Sequence, residues 1–182
     1  MGTALEKEPI IHGDHPLSSL TLAGGGAPDD ELIELMFFAY RDLVGDADHL
    51  LEDFGLGRAH HRALHFVNRR AGLTIAELLD ILKITKQSLN RVLKDLLDRN
   101  FVVSCPGEND RRQRLLFPTR RGEALALDAA RVQSRRFARV FAQLPLGARA
   151  RAREFLLAII DEGETERTAA VVASTRPRQV RE

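Results

Sequence analysis

A short polar stretch in the middle of the chain carries side chains that can recognise the edges of nucleic-acid bases. The amides of Gln87 and Asn90 can pair with adenine in a bidentate way, and the guanidinium of Arg91 can pair with guanine similarly. Three neighbours suit phosphate oxygens instead, namely Lys86, Ser88 and Lys94. A solvated amphipathic face would explain any one of these residues, but it explains the whole set poorly.

Two short helices joined by a tight turn are predicted to position this stretch. Thr74 and Glu77 form the capping box of the first helix, in which the threonine oxygen and the glutamate carboxylate each pair with a backbone N–H. This helix ends near Lys83, and Thr85 caps a second helix. The apolar residues of the second helix recur at helical spacing: Leu89, Val92, Leu93, Leu96 and Leu97. Such a pair, with the second helix polar and basic near its start, predicts a helix-turn-helix.

A β-hairpin with a basic tip is predicted directly after this pair. Residues 101–105 read FVVSC and residues 115–117 read LLF, and the segment between them, PGENDRRQR, is rich in turn residues and charge. A helix for the major groove followed by a hairpin for the backbone and minor groove is typical of a winged helix-turn-helix. Between residues 85 and 121, nine bases stand against four acids, and this net charge of +5 favours a polyanion.

Further helices are predicted on both sides of this region. They run from Asp29, from Arg58 to Arg69, from Thr119 to about Gln143 and, after a break at Pro145, from 147 to about 162. The predicted fold class is therefore mostly α with a small β-hairpin wing (α+β). The predicted boundaries are 1–28 for a flexible N-terminal arm, 29–57 for an N-terminal helix, 58–118 for the winged helix-turn-helix, 119–165 for the C-terminal helices and 166–182 for a flexible tail.

Composition excludes several classes of protein. The chain has 182 residues, of which 44% are hydrophobic and 29% charged, as expected for one soluble globular domain with tails. No window approaches the roughly 18 apolar residues of a membrane span, and no secretory signal is visible, so we expect a cytoplasmic location. The single cysteine, Cys105, cannot form an internal disulfide and is too few for a thiolate zinc site. Because no nucleotide-binding glycine loop, G-x-S-x-G or H-E-x-x-H motif is present, neither catalysis nor a cofactor is predicted.

The charge is distributed unevenly along the chain. Residues 1–57 hold twelve acids and two bases, whereas residues 58–182 hold 25 bases and 14 acids. A concentrated positive field suits a polyanion, although charge alone leaves a membrane surface or RNA open as partners.

Two runs of the sequence resemble the MarR family of bacterial transcription regulators. They are LTIAELLDILKITKQSLNRVLKDLLDRNFVV and NDRRQRLLFPTRRGEAL. That family has a D-x-R wing and a Leu-Thr-x-x-Gly helix start, to which DRR and PTRRG of the second run correspond. The resemblance covers roughly residues 30–165, and RAHHRALHFVNRR with the Pro118-Thr119 pair is similar to the PetP-like subgroup. It implies a homodimer, formed by the first and the last two helices, that binds a pseudo-palindromic operator and often responds to a small ligand.

Two residues depart from the family pattern. Lys83 stands where the turn usually has glycine, so the turn either strains this residue or has another geometry. Pro118 replaces the usual leucine and removes a backbone donor at the end of the second wing strand, which an edge position tolerates.

The resemblance also assigns roles in the wing. It implies that Arg112 lies at the tip, in the minor groove, and that Asp110 holds its guanidinium in position. Arg111 and Arg114 can add phosphate contacts, because a narrow minor groove attracts arginine.

A candidate effector surface follows from the same resemblance, which implies that the second helix borders a cavity between the dimer and DNA-binding parts. The candidate residues are Phe37, Phe38, Tyr40, Arg41, His61 and His65. An aromatic cluster at helical spacing is also compatible with a core, and His60, His61 and His65 would need a further donor to bind a metal. A redox role for Cys105 would require an exposed thiol with a lowered pKa.

Together these features predict a sequence-specific transcription regulator, a repressor or dual regulator, whose partners are double-stranded DNA, a second copy and a small-molecule effector. A winged-helix module for protein contacts and a sequence-independent architectural protein are the alternatives; the basic wing disfavours the first and the base-reading set the second. The predicted dimer interface comprises Leu32, Leu35, Met36, Phe137, Val140, Phe141, Leu144, Phe155, Leu156, Ile159 and Ile160.

Overall fold

A computed structural model of the protein describes residues 28–107 and 110–174. These residues form seven helices and three strands: α1 (Asp30–Glu52), α2 (Arg58–Arg69), β1 (Leu73–Thr74), α3 (Ile75–Leu82), α4 (Lys86–Asp98), β2 (Val102–Pro106), β3 (Arg114–Pro118), α5 (Arg120–Phe141), α6 (Ala148–Ile159) and α7 (Glu162–Ala173). The predicted fold class is thereby confirmed. Within the same ranges, no helix has the length and apolar character needed to cross a membrane. Apart from Pro28, the predicted N-terminal arm lies outside the described residues.

The described residues divide into two compact units, with the boundary between Phe37 and Phe38. In the first unit, the carboxylate of Asp29 accepts a hydrogen bond from the N–H of Leu32 (3.1 Å) and so caps the start of α1. The large apolar side chains that follow are exposed: Leu32, Ile33, Leu35, Met36 and Phe37.

The core of the second unit surrounds α2, whose bounds agree with the predicted helix. Ala63, Leu64 and Val67 of α2 are buried on one face, while Arg62 and Arg69 point to solvent on the other. The largest fully buried side chains around this face come from α1, β1, α3, α4, β2 and β3 and from the turn before β2: Leu51, Leu73, Leu78, Leu89, Leu96, Phe101, Val102 and Leu116. Each such burial stabilises the fold by about 1.5 to 3 kcal/mol relative to exposure.

The sheet has the order β1-β3-β2, and both pairs are antiparallel. The sequence predicted β2 and β3 but not β1, because two residues are too short for an alternating pattern. As a result β3 is the central strand, and the prediction that Pro118 occupies an edge position is wrong. Pro118 is tolerated because β1 pairs only with Leu115 and Leu116, so no N–H is required of residue 118 on that side.

The junction between β3 and α5 is a close contact with the end of α4. The hydroxyl of Thr119 accepts a hydrogen bond from the N–H of Gly122 (3.0 Å) and donates one to the carbonyl oxygen of Asn100 (2.8 Å). A Cβ atom at Gly122 would lie 1.8 Å from the carbonyl oxygen of Phe101. Only glycine fits there, which gives the Thr-x-x-Gly motif a steric reason.

The C-terminal region differs from the prediction in two ways. A single helix was expected from 147 to about 162, but α6 ends at Ile159, Ile160 is extended, and α7 follows. The flexible tail expected from residue 166 is wrong for residues 166–173, which belong to α7. The sequence signal is weak because no residue of α7 is buried and its main contacts to α3 are ion pairs. Residues 175–182 lie outside the described part.

Candidate nucleic-acid interface

Local hydrogen bonds fix both helices of the helix-turn-helix. The predicted capping box begins α3, with the Glu77 N–H donating to Thr74 Oγ1 (3.1 Å) and the Thr74 N–H donating to Glu77 Oε2 (2.7 Å). Lys83 ends α3 in the left-handed conformation (φ 50°, ψ 44°), so the turn does strain a non-glycine residue. The hydroxyl of Thr85 then accepts from the Ser88 N–H (3.2 Å) and starts α4, as predicted.

The two faces of α4 separate apolar from polar residues. Leu89, Val92, Leu93 and Leu96 are buried, whereas Leu97, predicted on the same stripe, is 37% exposed. All the residues predicted to meet DNA from this helix are exposed: Lys86, Gln87, Ser88, Asn90, Arg91 and Lys94. The core therefore fixes the rotation of α4 about its axis and turns this set outward.

The cations of α4 are not equivalent. Lys94 is paired with Asp98, and this hydrogen bond together with the carboxylate charge raises the pKa of Lys94. Lys86 and Arg91, in contrast, form no ion pair with another residue of the described ranges. Their charges are thus available to an outside anion without breaking a contact of the fold.

His60 links α4 to α2, a role that the sequence did not reveal. Its Nδ1 accepts a hydrogen bond from the N–H of Gly57 (3.1 Å), which leaves Nε2 to donate to Asp95 of α4 (3.2 Å). Helical spacing cannot identify this bond, because the partners are 35 residues apart and meet only in the folded core.

The turn of the wing is held by Asp110. Its carbonyl oxygen accepts from the Gln113 N–H (3.0 Å), and its Oδ1 accepts from the backbone N–H of Arg112 (2.9 Å). The carboxylate was expected to hold the Arg112 guanidinium instead, but among the described residues no ion pair joins the two. Asp110 therefore shapes the backbone that carries Arg112, because an Asx-type turn offers the carboxylate a closer donor than the long side chain does.

Arg114 is fixed across the wing by Ser104, which was not in the predicted set. Its guanidinium donates to Ser104 Oγ (3.0 Å) and to the Ser104 carbonyl oxygen (2.7 Å). The register places Ser104 opposite Leu116, so that Arg114 is its diagonal neighbour on the same face. This pair follows from the register, which the sequence alone does not fix. Arg111 and Arg112 are exposed at the tip.

A cleft of about 400 Å³ lies between the start of α4 and the wing. Lys86 lines it from one side and Arg112 and Arg114 from the other. The fold thus brings together cations that are more than 20 residues apart in the sequence, on one concave surface beside the polar face of α4.

Comparison with known proteins decides the family. Residues 54–113 match the MarR family. The HTH-type transcriptional regulator PetP of Rhodobacter capsulatus is 43% identical over 129 residues, which cover 71% of this chain and 78% of PetP. The chain belongs to the MarR family. It is accordingly a transcription regulator with a winged helix-turn-helix and not an enzyme.

Solved MarR-family structures share the fold. CouR from Rhodococcus jostii RHA1, bound to p-coumaroyl-CoA, has a TM-score of 0.61 and 21% identity, covering 71% of this chain and 92% of CouR. A mutant of E. coli MarR complexed with operator DNA has a TM-score of 0.58 and 20% identity, covering 72% of this chain and 94% of MarR.

The two histidines of the candidate effector surface lie inside this MarR-family fold. His61 is 8% exposed, and burial lowers its pKa. Burial, reinforced by the nearby His61, Arg69 and Arg70, lowers the pKa of His65 to about 4. The rings of His61 and His65 meet edge to face with centroids 6.5 Å apart. Both histidines are therefore neutral near pH 7 and do not form part of an exposed surface.

The remaining candidates on α1 are exposed. Within the second unit, the Arg41 guanidinium lies 4.9 Å from the centroid of the Phe38 ring, and Arg58 lies 5.9 Å from that of Tyr40. Phe37 is exposed at the end of the first unit. The structure thus separates the predicted set into exposed residues of α1 and two histidines of α2, of which His61 is buried and His65 half-buried.

No group of three or more residues that could hold a metal ion is found among the histidine, cysteine, aspartate and glutamate side chains of the described ranges. Cys105 is half-buried on β2, opposite Leu115.

Proposed function

We propose that this MarR-family regulator binds a pseudo-palindromic operator as a homodimer, with α4 in the major groove and the wing tip in the minor groove of each half-site. The observation that carries the proposal is the exposed set of Gln87, Asn90 and Arg91 on a helix whose opposite face is anchored in the core by four buried apolar side chains. These side chains have the donors and acceptors that distinguish adenine and guanine in the major groove.

The cations beside this set favour DNA over a protein partner. Lys86, Arg112 and Arg114 line one concave cleft, and Arg111 adds a further positive charge at the wing tip. A positive concave surface next to a base-reading helix matches the alternating phosphates and base edges of a duplex. Ile75, Ala76 and Leu79 of α3 line the same cleft, so it is the cations and their position beside α4 that favour DNA.

Dimerisation is supported by large apolar side chains that one copy leaves exposed. They lie on α1, α5 and α6 and in the α5–α6 loop: Leu32, Leu35, Met36, Phe137, Val140, Leu144, Phe155, Leu156 and Ile159. An apolar groove of about 550 Å³ between α5, α6 and α7, lined by Phe141 and Ile160 among others, continues the part of this set that lies on α5 and α6. So many large apolar side chains left exposed are typical of an interface, and a two-fold axis would cover them in both copies.

Modulation by a small ligand belongs to the same proposal. CouR binds p-coumaroyl-CoA, and the exposed rings of Phe38 and Tyr40 are suited to stacking with an aromatic ligand, while the guanidinium near each ring is already paired, Arg41 with Asp42 and Arg58 with Asp48. Such a ligand would change operator affinity only if it bound the free and DNA-bound forms unequally.

The deciding experiment is selection of DNA from a random duplex library by the purified full chain, followed by sequencing. We expect enrichment of an inverted repeat whose half-site centres are about 10 base pairs apart or a multiple of that. Retention without enrichment would favour the architectural alternative, and no retention would favour the protein-contact module. Light scattering at micromolar concentration and physiological salt should give the mass of a dimer, and a monomer would contradict the proposed interface.

A further inference from the structure

Four charged side chains join α7 to the first helix of the helix-turn-helix, and we call them the α3–α7 ion-pair network. Lys83 Nζ lies 3.0 Å from Glu164 Oε1 and 3.3 Å from Asp80 Oδ1. Arg167 pairs with Asp80 and also lies 3.5 Å from Glu164 Oε2. The network therefore contains two intrahelical pairs and two pairs that cross between the helices, and its net charge is zero.

The other end of α7 is held separately. The guanidinium of Arg70, just after α2, donates to Ser174 Oγ (3.2 Å) at the end of α7. Between the two attachments, clefts of about 270 and 430 Å³ open beside Ile81 and Val171. Since no residue of α7 is buried, the polar attachments at its ends, rather than a packed apolar face, hold this helix on α2 and α3.

Lys83 connects the α3–α7 ion-pair network to α4, the helix proposed to contact the bases. This residue adopts a left-handed conformation, for which glycine is better suited. What lysine adds at this position is an ammonium group that reaches Glu164. Thr85, two residues later, caps α4, so the residue that contacts α7 is also part of the turn that sets the direction of α4.

On its other side, α7 faces α6. Thr168, Ala169 and Val172 of α7 line the same groove as Leu156 and Ile160. The helix therefore lies between the C-terminal helices and the turn of the helix-turn-helix, in contact with both.

We propose that α7 is a strap that positions the helix-turn-helix for its operator, with Glu164 and Arg167 as positioning residues acting through Lys83 and Asp80. The inference rests on the proposed operator binding. A turn fixed before DNA binds has less conformational freedom to lose in the specific complex, where α4 must fit the groove. Non-specific binding, which depends on charge alone, does not need the strap.

The test reverses the signs of the crossing pairs without changing the net charge. The α7 reversal, E164K/R167E, keeps the intrahelical pair but places like charges opposite Lys83 and Asp80. The α3 reversal, D80K/K83E, does the same from the other side, and the quadruple variant D80K/K83E/E164K/R167E restores attraction across both pairs. Every variant has the wild-type net charge, and the scrambled duplex serves as the reference for any change in non-specific attraction that the relocated charges cause.

Two measurements are made on each full-length variant. The first is the affinity for the most enriched operator relative to a scrambled duplex, by fluorescence anisotropy at one salt concentration. The second is amide hydrogen exchange of residues 165–173. We expect each reversal to lower the affinity ratio about fivefold, the scale of two exposed ion pairs, and to speed exchange in α7. The quadruple variant should recover the wild-type affinity ratio and the wild-type exchange rate of α7, although it carries the same substitutions in α7 as the α7 reversal.

Faster exchange with an unchanged affinity ratio would overturn the proposal, and so would a quadruple variant that recovers neither quantity. A higher ratio in the reversals would also overturn it, since the strap would then oppose operator binding. If the wild-type chain prefers no DNA sequence, the proposed function fails and the positioning role fails with it, whereas the exchange data still show whether the network holds α7.

Discussion

Helix α4 and the wing present cations to the same cleft, but they are held in place by different interactions. Four buried apolar side chains anchor α4, and its exposed face follows from their spacing. The tip of the wing is held by hydrogen bonds at the surface, in which the Arg112 N–H donates to the Asp110 carboxylate and the Arg114 guanidinium donates to Ser104. Apolar burial is worth several kcal/mol, whereas an exposed hydrogen bond is worth about 1 kcal/mol or less. We therefore expect α4 to keep its position when DNA binds and the wing to change its conformation to fit the groove.

The largest expected effect comes from removing an anchor of α4. Leu96→Ala should lower the free energy of unfolding by about 2 to 5 kcal/mol, because Leu96 is 0% exposed and its loss leaves a cavity. Leu97→Ala, one residue away and partly exposed, is the matched control and should cost about 1 kcal/mol or less. Urea denaturation measures both, and equal losses would mean that α4 is not anchored by its buried face.

A change on the outer face of α4 should affect DNA and leave the fold intact. Arg91→Ala should weaken operator binding by about 1 to 3 kcal/mol and relax the preference at one base pair in each half-site. Arg131→Ala, an exposed arginine of α5 paired with Asp128, is the control and should leave the preference unchanged. If selection with Arg91→Ala recovers the wild-type sequence, Arg91 does not read a base.

Lowering the pH should destabilise the fold through His65 of α2, the helix on which α4 packs. The folded-state pKa of His65 is about 4, below its ordinary value of 6.5, so the unfolded chain binds a proton first as the pH falls. The stability that depends on neutral His65 is complete above pH 6.5 and declines toward pH 4. Between pH 7 and pH 5 the wild-type chain should lose about 2 kcal/mol more than His65→Gln, whose side chain does not titrate in this range. Equal pH dependence of the two chains in urea denaturation would show that His65 is accessible to protons in the folded state.

The smallest expected effect concerns the wing, where removal of one hydrogen bond should lower the affinity for the operator but not the affinity for scrambled DNA. Asp110→Ala deletes the acceptor for the Arg112 N–H and should lower the operator-to-scrambled affinity ratio about threefold. Asp110→Asn keeps an acceptor oxygen while removing the charge, so its ratio should match that of the wild type. Anisotropy titrations distinguish this hydrogen-bonding role of Asp110 from a purely electrostatic one. A purely electrostatic role requires that both variants bind DNA more tightly than the wild type and with equal affinity.

The sequence predicted those parts of the fold whose determinants are local. The capping box at Thr74 and the helix cap at Thr85 involve partners three residues away, and the structure has both. The periodicity of α4 likewise predicted its buried face, except at Leu97, which is partly exposed. β1 and α7 could not be predicted in this way, since β1 exists only through its pairing with β3 and α7 is held mainly by partners in α3 and after α2.

The same distinction applies to the candidate site. Residue type and helical position identified the exposed face of α4, which needed no knowledge of the remaining chain. The hydrogen bonds that hold this site in place were not predicted. Ser104 bonds to Arg114 only after the strands pair, and His60 bonds to Asp95 only after α2 packs on α4. Asp110 was identified, but its partner was wrong, since spacing cannot distinguish a backbone donor from a side-chain donor.

The close approach at Gly122 has a consequence for motion. With the Phe101 carbonyl oxygen occupying the space of a Cβ atom, and Thr119 bonded to Asn100, the start of α5 and the end of α4 have no room to rotate against each other. In the proposed dimer, the two copies of α4 must match the spacing of the two half-sites, and this requires a flexible segment in each chain. That hinge cannot lie between α4 and α5. The same junction also reaches the loop between α1 and α2, where Arg99 donates to the carbonyl oxygen of Phe54 (2.9 Å) and Leu56 is buried in the core, so this loop is expected to move together with the end of α4.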